Sequence, residues 1–197
     1  MNSFKIIVLL ILSISLGTLN AQNHSKAFSE SSVVWYGVDY SLARFTLVTE
    51  SAMDIVTKYI PTINAVIVQE YERKYNIRKF FNKYSVAIEL DNINVNNQKI
   101  EPAKLVVDVP YTINQDDVKK LVSAYNTEGK TGMGLVFIAE NMNKTTSKGS
   151  FYVCFFDLAT KEIIDSKRME GKAGGAGFRN FWVGAVYDVM KEWAKAK

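Results

Sequence analysis

A glycine-rich segment near the end of the chain carries the most distinctive set of polar groups. It reads Gly-Lys-Ala-Gly-Gly-Ala-Gly-Phe-Arg-Asn over residues 171–180 and joins a predicted strand to a predicted helix. Glycine tolerates positive φ, so successive N–H groups can turn towards one anion, and the following helix N-terminus adds partial positive charge. These features predict an anion-binding site whose candidate residues are Lys172, Gly174, Gly175, Gly177 and Arg179.

The same segment has a second interpretation, in which the glycines only let the last helix lie close to the sheet. The motifs of known phosphate-binding loops are not present in this segment, so they do not decide between the two interpretations. No Gly-Lys-Ser or Gly-Lys-Thr sequence closes the segment, and the third glycine of the dinucleotide-binding fingerprint is missing.

Three carboxylates lie at or near the ends of predicted strands: Asp39, Glu140 and Asp157. Two of them brought together could act as general acid and base, as in glycoside hydrolysis. Their spacing in the sequence does not require such a pair, and acidic residues at strand ends also occur as ordinary solvated groups. A hydrolase is therefore an alternative rather than the main interpretation.

We do not predict catalysis by cysteine or histidine, because the chain has one Cys and one His. Cys154 lies in the apolar run 151–156, which predicts a buried, structural thiol in a strand. His24 lies in a polar stretch close to the N-terminus. Neither a Ser-His-Asp triad nor a zinc site has its usual residues, and we predict no metal and no cofactor.

The first residues have the pattern of a secretory signal peptide. Lys5 precedes an apolar run at 6–12, and Ala21 is the best small residue for cleavage. We therefore expect a signal peptide at 1–21, a flexible tail at 22–32 and one α/β domain at 33–197. The apolar run is short for a membrane span, so we expect a periplasmic or secreted protein with no stable span after cleavage.

The rest of the chain alternates between strand and helix patterns. Strands are predicted at 33–40, 86–90, 105–109, 135–139, 151–158 and 163–169, and helices at 50–81, 112–125 and 180–195. Pro61 interrupts the first helix, Thr112 and Gln115 fit a capping box, and the Asn-rich stretch 92–98 predicts an irregular loop. The last two strands fit a hairpin. The expected fold class is α/β (α+β), a two-layer sandwich with a mixed, mostly antiparallel sheet and helices packed on it.

Three segments resemble a family of small secreted proteins of Bacteroidetes-type bacteria. They are Gly-Met-Gly-Leu-Val-Phe-Ile-Ala-Glu at 132–140, Phe-Phe-Asp-Leu-Ala-Thr at 155–160, and the residues 171–182. The resemblance covers chiefly the C-terminal third of the chain. It implies export and no particular activity.

These observations predict an exported, non-catalytic α/β protein that acts as a cell-envelope interaction module. The alternative is a small-anion binder, or a hydrolase, that uses the turn at 171–180 or the strand-end carboxylates. The partner is then an envelope protein or a small anionic ligand. The formal charge of +4 is small and not clustered, so a nucleic-acid partner is not predicted. An exposed apolar patch would favour the module, and a concave site with converging polar groups would favour the binder.

Overall fold

The computed structural model describes residues 27–195, so the predicted signal peptide and its cleavage site lie outside the described residues. One sheet contains all seven strands of this range. They are β1 (Ser32–Asp39), β2 (Arg44–Thr46), β3 (Ser85–Ile88), β4 (Val106–Val107), β5 (Met133–Asn143), β6 (Lys148–Asp157) and β7 (Ile163–Lys172). β5 and β6 are almost continuously buried, as expected for their unbroken apolar runs.

The helices connect these strands and cover the sheet. They are α1 (Ala52–Asp54), a π-helical turn (Ile55–Tyr59), α2 (Ile60–Gln69), α3 (Ile77–Phe80), α4 (Asp91–Gln98), α5 (Pro102–Leu105), α6 (Gln115–Ser123) and α7 (Gly177–Lys195). The helix predicted at 50–81 is therefore divided: the π-helical turn precedes Pro61, and α3 is a separate short helix.

β5 is the centre of the sheet. Along one edge it pairs in parallel first with β1 and then with β2, which lie end to end. β3 and β4 pair in parallel with the outer edges of β1 and β2. On the other edge of β5, β6 and then β7 are added antiparallel. The outermost strands are thus β3 and β4 on one side and β7 on the other.

The predicted mostly antiparallel sheet is wrong, because four of the six strand pairings are parallel. A parallel pair needs a connection that returns the chain to the same end of the sheet, usually through a helix. The helices between β1 and β5 provide these connections. Periodicity identifies strands and helices but does not state which strands are neighbours, and the hairpin of the last two strands was the only pairing predicted from the sequence.

The predicted two-layer arrangement is also wrong, because helices cover both faces of the sheet. Leu135 and Phe137 of β5 belong to the core that includes α2 and α7. Val136 and Ile138, which point to the opposite face, belong to a second core with α6. This burial on both faces explains why β5 is apolar without alternation.

Candidate functional site

Asp39 is fully buried, and its side chain accepts hydrogen bonds from three other residues of the fold. Its Oδ1 accepts from the Ser41 N–H at 2.8 Å. Its Oδ2 accepts from Asn96 Nδ2 at 3.1 Å and from the Tyr125 hydroxyl at 2.9 Å. The carboxylate therefore ties the end of β1 to α4 and to the segment after α6.

Glu140 is also fully buried, on the face of the sheet that α6 covers. Its Oε1 accepts from the Ile113 N–H at 3.2 Å, and its Oε2 accepts from Arg168 Nε at 2.8 Å and Nη2 at 2.6 Å. The hydrogen bond between Glu140 and Ile113 attaches the segment before α6 to the sheet. The hydrogen bonds of Glu140 are thus used to join β5, β7 and the segment before α6.

Asp157 closes the turn between β6 and β7. Its Oδ1 accepts from the Ala159 and Thr160 N–H groups at 2.9 and 3.0 Å. Asp157 pairs with Met133 at the start of β5, whereas Glu140 lies seven residues further along that strand, about 20 Å away. The two carboxylates cannot act on one substrate bond, and none of Asp39, Glu140 and Asp157 lines the cavity at the start of α7 or the cavity at the start of β3 that are described below.

Cys154 is buried in β6, as predicted. Burial raises the pKa of its thiol to about 12, although Ser166 Oγ, 3.2 Å from Sγ, acts in the opposite direction. A thiol that remains protonated and enclosed in the core is not a nucleophile at neutral pH.

The glycine-rich segment serves partly as a packing device. A Cβ atom on Gly171 would lie 2.0 Å from the carbonyl oxygen of Ala185, so α7 approaches the end of β7 more closely than any side chain allows. The Gly174 N–H donates to the Phe181 carbonyl at 3.0 Å, which folds the segment back onto the helix. Lys172 belongs to this packed part, since its N–H donates to Asp188 Oδ2 at 2.8 Å.

The second half of the segment borders a cavity. Gly175 and Gly177 both have positive φ, at 128° and 77°. A Cβ atom on Gly177 would meet no heavy atom within 4 Å. Gly177 lies at the beginning of α7 and, with Ala176 before it and Phe178 to Asn180 after it, lines a cavity of about 310 Å³.

The opposite wall of the cavity comes from the π-helical turn and the start of α2. Pro61 has no N–H and its ring disfavours the ordinary helical register before it, which accounts for a π-helical turn at this point. Lys58, Tyr59 and Thr62 line the cavity from this side. The Thr62 hydroxyl lies 2.9 Å from the carbonyl oxygens of both Lys58 and Tyr59, so its proton is used within the helix.

Two cations converge on this cavity. Lys58 comes from the π-helical turn and Arg179 from the first turn of α7, and no Asp or Glu among residues 27–195 lines the cavity with them. Within residues 27–195 neither side chain forms an ion pair; Arg179 Nε donates to the neighbouring Asn180 Oδ1 at 3.0 Å. The cavity therefore carries two positive charges that form no ion pair with a carboxylate of the described residues.

Aromatic rings form the apolar part of the wall. The ring centroids of Tyr59 and Phe178 are 4.6 Å apart, and Phe178 also packs on Phe45 of β2 at 5.6 Å. Lys58 Nζ lies 5.1 Å from the centroid of Tyr59. The cavity can thus hold an anionic group next to a flat or apolar one.

Of the five residues predicted to bind an anion, Gly177 and Arg179 line the cavity, whereas Lys172, Gly174 and Gly175 do not. Sequence reasoning missed Lys58 and Tyr59, which are far from the segment in the chain. The available signal was Pro61 in a helical pattern, which marks a local irregularity without showing what packs against it.

Within the described range, no three His, Cys, Asp or Glu side chains come together as a metal site would require. No helix between residues 27 and 195 is both long and apolar enough to cross a membrane. The chain matches no protein-family model, and no curated protein is similar to it in sequence.

Proposed function

We propose that the protein is an exported, non-catalytic binding protein whose cavity at the start of α7 holds a small anionic ligand. The observation that carries this proposal is the convergence of Lys58 and Arg179 on one cavity of about 310 Å³ that no described carboxylate lines. An uncompensated pair of cations attracts an anion, and the volume fits a small molecule.

The lining residues indicate the chemistry of the ligand. Arg179 offers planar guanidinium donors that suit a carboxylate or phosphate group, and Lys58 adds a second point charge. Tyr59 and Phe178 suit a flat or apolar body. The favoured ligand is therefore a carboxylate or phosphate attached to a small ring or apolar group.

Binding rather than hydrolysis is favoured because the strand-end carboxylates are used elsewhere. Asp39 and Glu140 accept hydrogen bonds from structural partners in the core. Neither lines the cavity. The proposed ligand would thus meet cations and aromatic rings but no group placed to act as a base.

The compartment is part of the same proposal. The signal-peptide pattern at 1–21 and the resemblance to small secreted proteins of Bacteroidetes-type bacteria support export to the periplasm or beyond. Intact-mass measurement of the protein from a bacterial host tests this directly. A mature chain that begins at Gln22 supports export, and a soluble protein that keeps residues 1–21 contradicts it.

The ligand proposal is tested by thermal unfolding with phenyl phosphate, benzoate and inorganic phosphate, each against sodium chloride of equal ionic strength. A ligand at ten times its Kd adds about 1.4 kcal/mol to the free energy of unfolding. We expect the largest rise in Tm with phenyl phosphate, because its ring can contact Tyr59 and Phe178.

Variants identify the site. Arg179→Gln and Lys58→Gln should each remove most of the ligand-dependent rise in Tm without lowering the Tm of the free protein. Lys99→Gln, which removes an exposed charge outside the cavity, is the matched control and should keep the full rise. Equal responses in all three variants, or no response of the unmutated protein to any of the anions, would contradict the proposal.

A further inference from the structure

The outer edge of β3 pairs with no other strand of the described residues. Among residues 27–195 β3 pairs only with β1 and is the last strand on its side of the sheet. The N–H groups of Ser85 and Glu89 bond to the Ser31 and Trp35 carbonyls of the β1 side. Because backbone groups alternate in direction along a strand, those of Val86 and Ile88 point away from β1.

The composition of β3 does not protect this edge. Natural edge strands are usually blunted by charged residues or proline. β7, the strand at the opposite edge, carries Asp165, Lys167, Arg168, Glu170 and Lys172. β3 reads Ser-Val-Ala-Ile, with no charge and no proline, and is largely exposed. Ile88, the last residue of β3, is 39% exposed, and Tyr84, which precedes the strand, is 85% exposed.

A basic cavity lies at the start of the same strand. Its volume is about 820 Å³, and it includes Tyr84 and Ser85. No Asp or Glu of the described part of the chain lines it. Arg78 and Lys79 line it and form no ion pair within the described part of the chain. Lys83 also lines it, and its Nζ donates to the carbonyls of Ala27 and Glu30 at 2.6 and 2.7 Å.

We propose that β3 is a docking site for an extended acidic peptide of a partner protein, which adds a strand to the sheet and places its carboxylates in the basic cavity. Backbone groups of Val86 and Ile88 would pair with the peptide backbone, and Tyr84 and Ile88 would contact its apolar side chains. Arg78 and Lys79 would select acidic residues at the end that lies over the start of β3.

A second copy of the chain fits this edge less well. Antiparallel pairing of two β3 strands would bring Arg78 and Lys79 towards the end of the other β3, where the acidic residue Glu89 is already paired with Lys130. A contact of four residues per chain is also far smaller than a stable dimer interface. The docking site is separate from the cavity at the start of α7, so either proposal can fail alone.

The test uses two fluorescein-labelled octapeptides of opposite order, Asp-Asp-Glu-Val-Thr-Val-Thr-Val and its reverse, measured by fluorescence anisotropy. We expect one order to bind, because strand addition depends on the backbone and tolerates many sequences. Two control peptides separate the contributions. N-methylation of the central valine and both threonines removes N–H groups from both edges of the peptide and blocks strand pairing whichever edge faces β3. Lysine in place of the acidic residues removes the charge match. Each should weaken binding about tenfold or more.

Protein variants locate the site. Arg78→Glu combined with Lys79→Glu should weaken binding at least tenfold, whereas Lys99→Glu combined with Lys120→Glu, an equal charge change on exposed residues elsewhere, should leave it within about twofold. Ile88→Pro removes an N–H that faces away from β1 and should also weaken binding. The methylated peptide gives the same information if that variant unfolds.

Three results would overturn the proposal. They are no binding of either order, equal binding of the methylated peptide, and sedimentation as a dimer through β3 that excludes the peptide. Equal binding of the methylated peptide would mean that the basic cavity attracts acidic chains without strand addition.

Discussion

The side-chain amide of Asn64 bonds both backbone groups of Val38. Its Oδ1 accepts from the Val38 N–H at 2.8 Å, and its Nδ2 donates to the Val38 carbonyl at 2.9 Å. Asn97 continues the pattern, since its Oδ1 accepts from the Tyr40 N–H at 2.7 Å. Val38 lies beyond the residues of β1 that pair with β3. The side-chain amides of Asn64 and Asn97 thus bond the backbone groups that a neighbouring strand would bond in the gap between β3 and β4.

Replacing Asn64 with Ala should therefore destabilise the protein strongly. The substitution leaves the buried Val38 N–H without a partner and weakens the bonding of its carbonyl. We expect a loss of about 2–4 kcal/mol in the free energy of unfolding, measured by urea titration. Asn94→Ala, on the exposed side of α4, should change it by less than about 0.5 kcal/mol. Similar small effects of both substitutions would show that water replaces the amide.

Asn97 also explains one error of prediction. The stretch 92–98 was predicted as an irregular loop from its asparagine content, but it lies in the helix α4. The helix forms because Ile93 and Asn97 are buried on one side of it, and Asn97 bonds the backbone of β1. Local preference of asparagine for turns is weaker than these tertiary contacts. A sequence alone does not show that a polar side chain has a partner in a distant strand.

Other elements depended on local sequence and were predicted better. β5, β6 and β7 are close to their predicted positions because apolar runs and a turn define them. A helix was predicted after Thr112, but its capping box is formed by Asn114 and Asp117 instead of Thr112 and Gln115. Only some of the residues that line the candidate cavity could be predicted from the sequence. Arg179 and Gly177 lie in one segment, whereas Lys58 reaches them only through the packing of the π-helical turn near α7.

Alanine substitutions at two glycines outside the cavity test the packing role of the glycine-rich segment. Gly171→Ala should cost about 3 kcal/mol or more, because its Cβ would lie 2.0 Å from the Ala185 carbonyl oxygen and α7 must move. Gly174→Ala is the matched control, since its Cβ meets nothing within 4 Å. We expect Gly174→Ala to leave the urea midpoint nearly unchanged. Equal losses in the two variants would contradict the packing argument.

Removing Arg168 should be costly because its partner Glu140 remains buried. Arg168→Ala leaves the carboxylate with the Ile113 N–H as its hydrogen-bond donor, and we expect a loss of about 3 kcal/mol. Lys148→Ala, which breaks an exposed ion pair with Glu170, should cost less than about 1 kcal/mol. Adding Glu140→Gln to Arg168→Ala should recover part of the loss. No recovery would show that the packing of the arginine chain, and not the buried charge, sets the cost.

Cys154 provides a test of the second core by chemical reactivity. The thiol is enclosed in β6, and its pKa is raised to about 12. A thiol reagent at neutral pH should therefore react with the native protein orders of magnitude more slowly than with the urea-unfolded chain. Equal rates in the two states would mean that the thiol is exposed.

The raised pKa values of Cys154 and Tyr36 also predict a loss of stability at alkaline pH. Burial is the main cause of both shifts. It raises the pKa of Cys154 from 9.0 to about 12 and the pKa of Tyr36 from 10.0 to about 12. Between these values the unfolded chain has lost protons that the folded protein keeps. The contribution of these two groups to the free energy of unfolding is therefore fully present below pH 9. It falls as pH rises towards 12, by up to about 1.4 kcal/mol per pH unit for each group. Cys154→Ala removes one of the two groups. We expect urea titrations from pH 8 to pH 11 to give a shallower decline for this variant than for the unmutated protein, whatever its stability at pH 7. Parallel declines would show that Cys154 does not keep its proton in the fold.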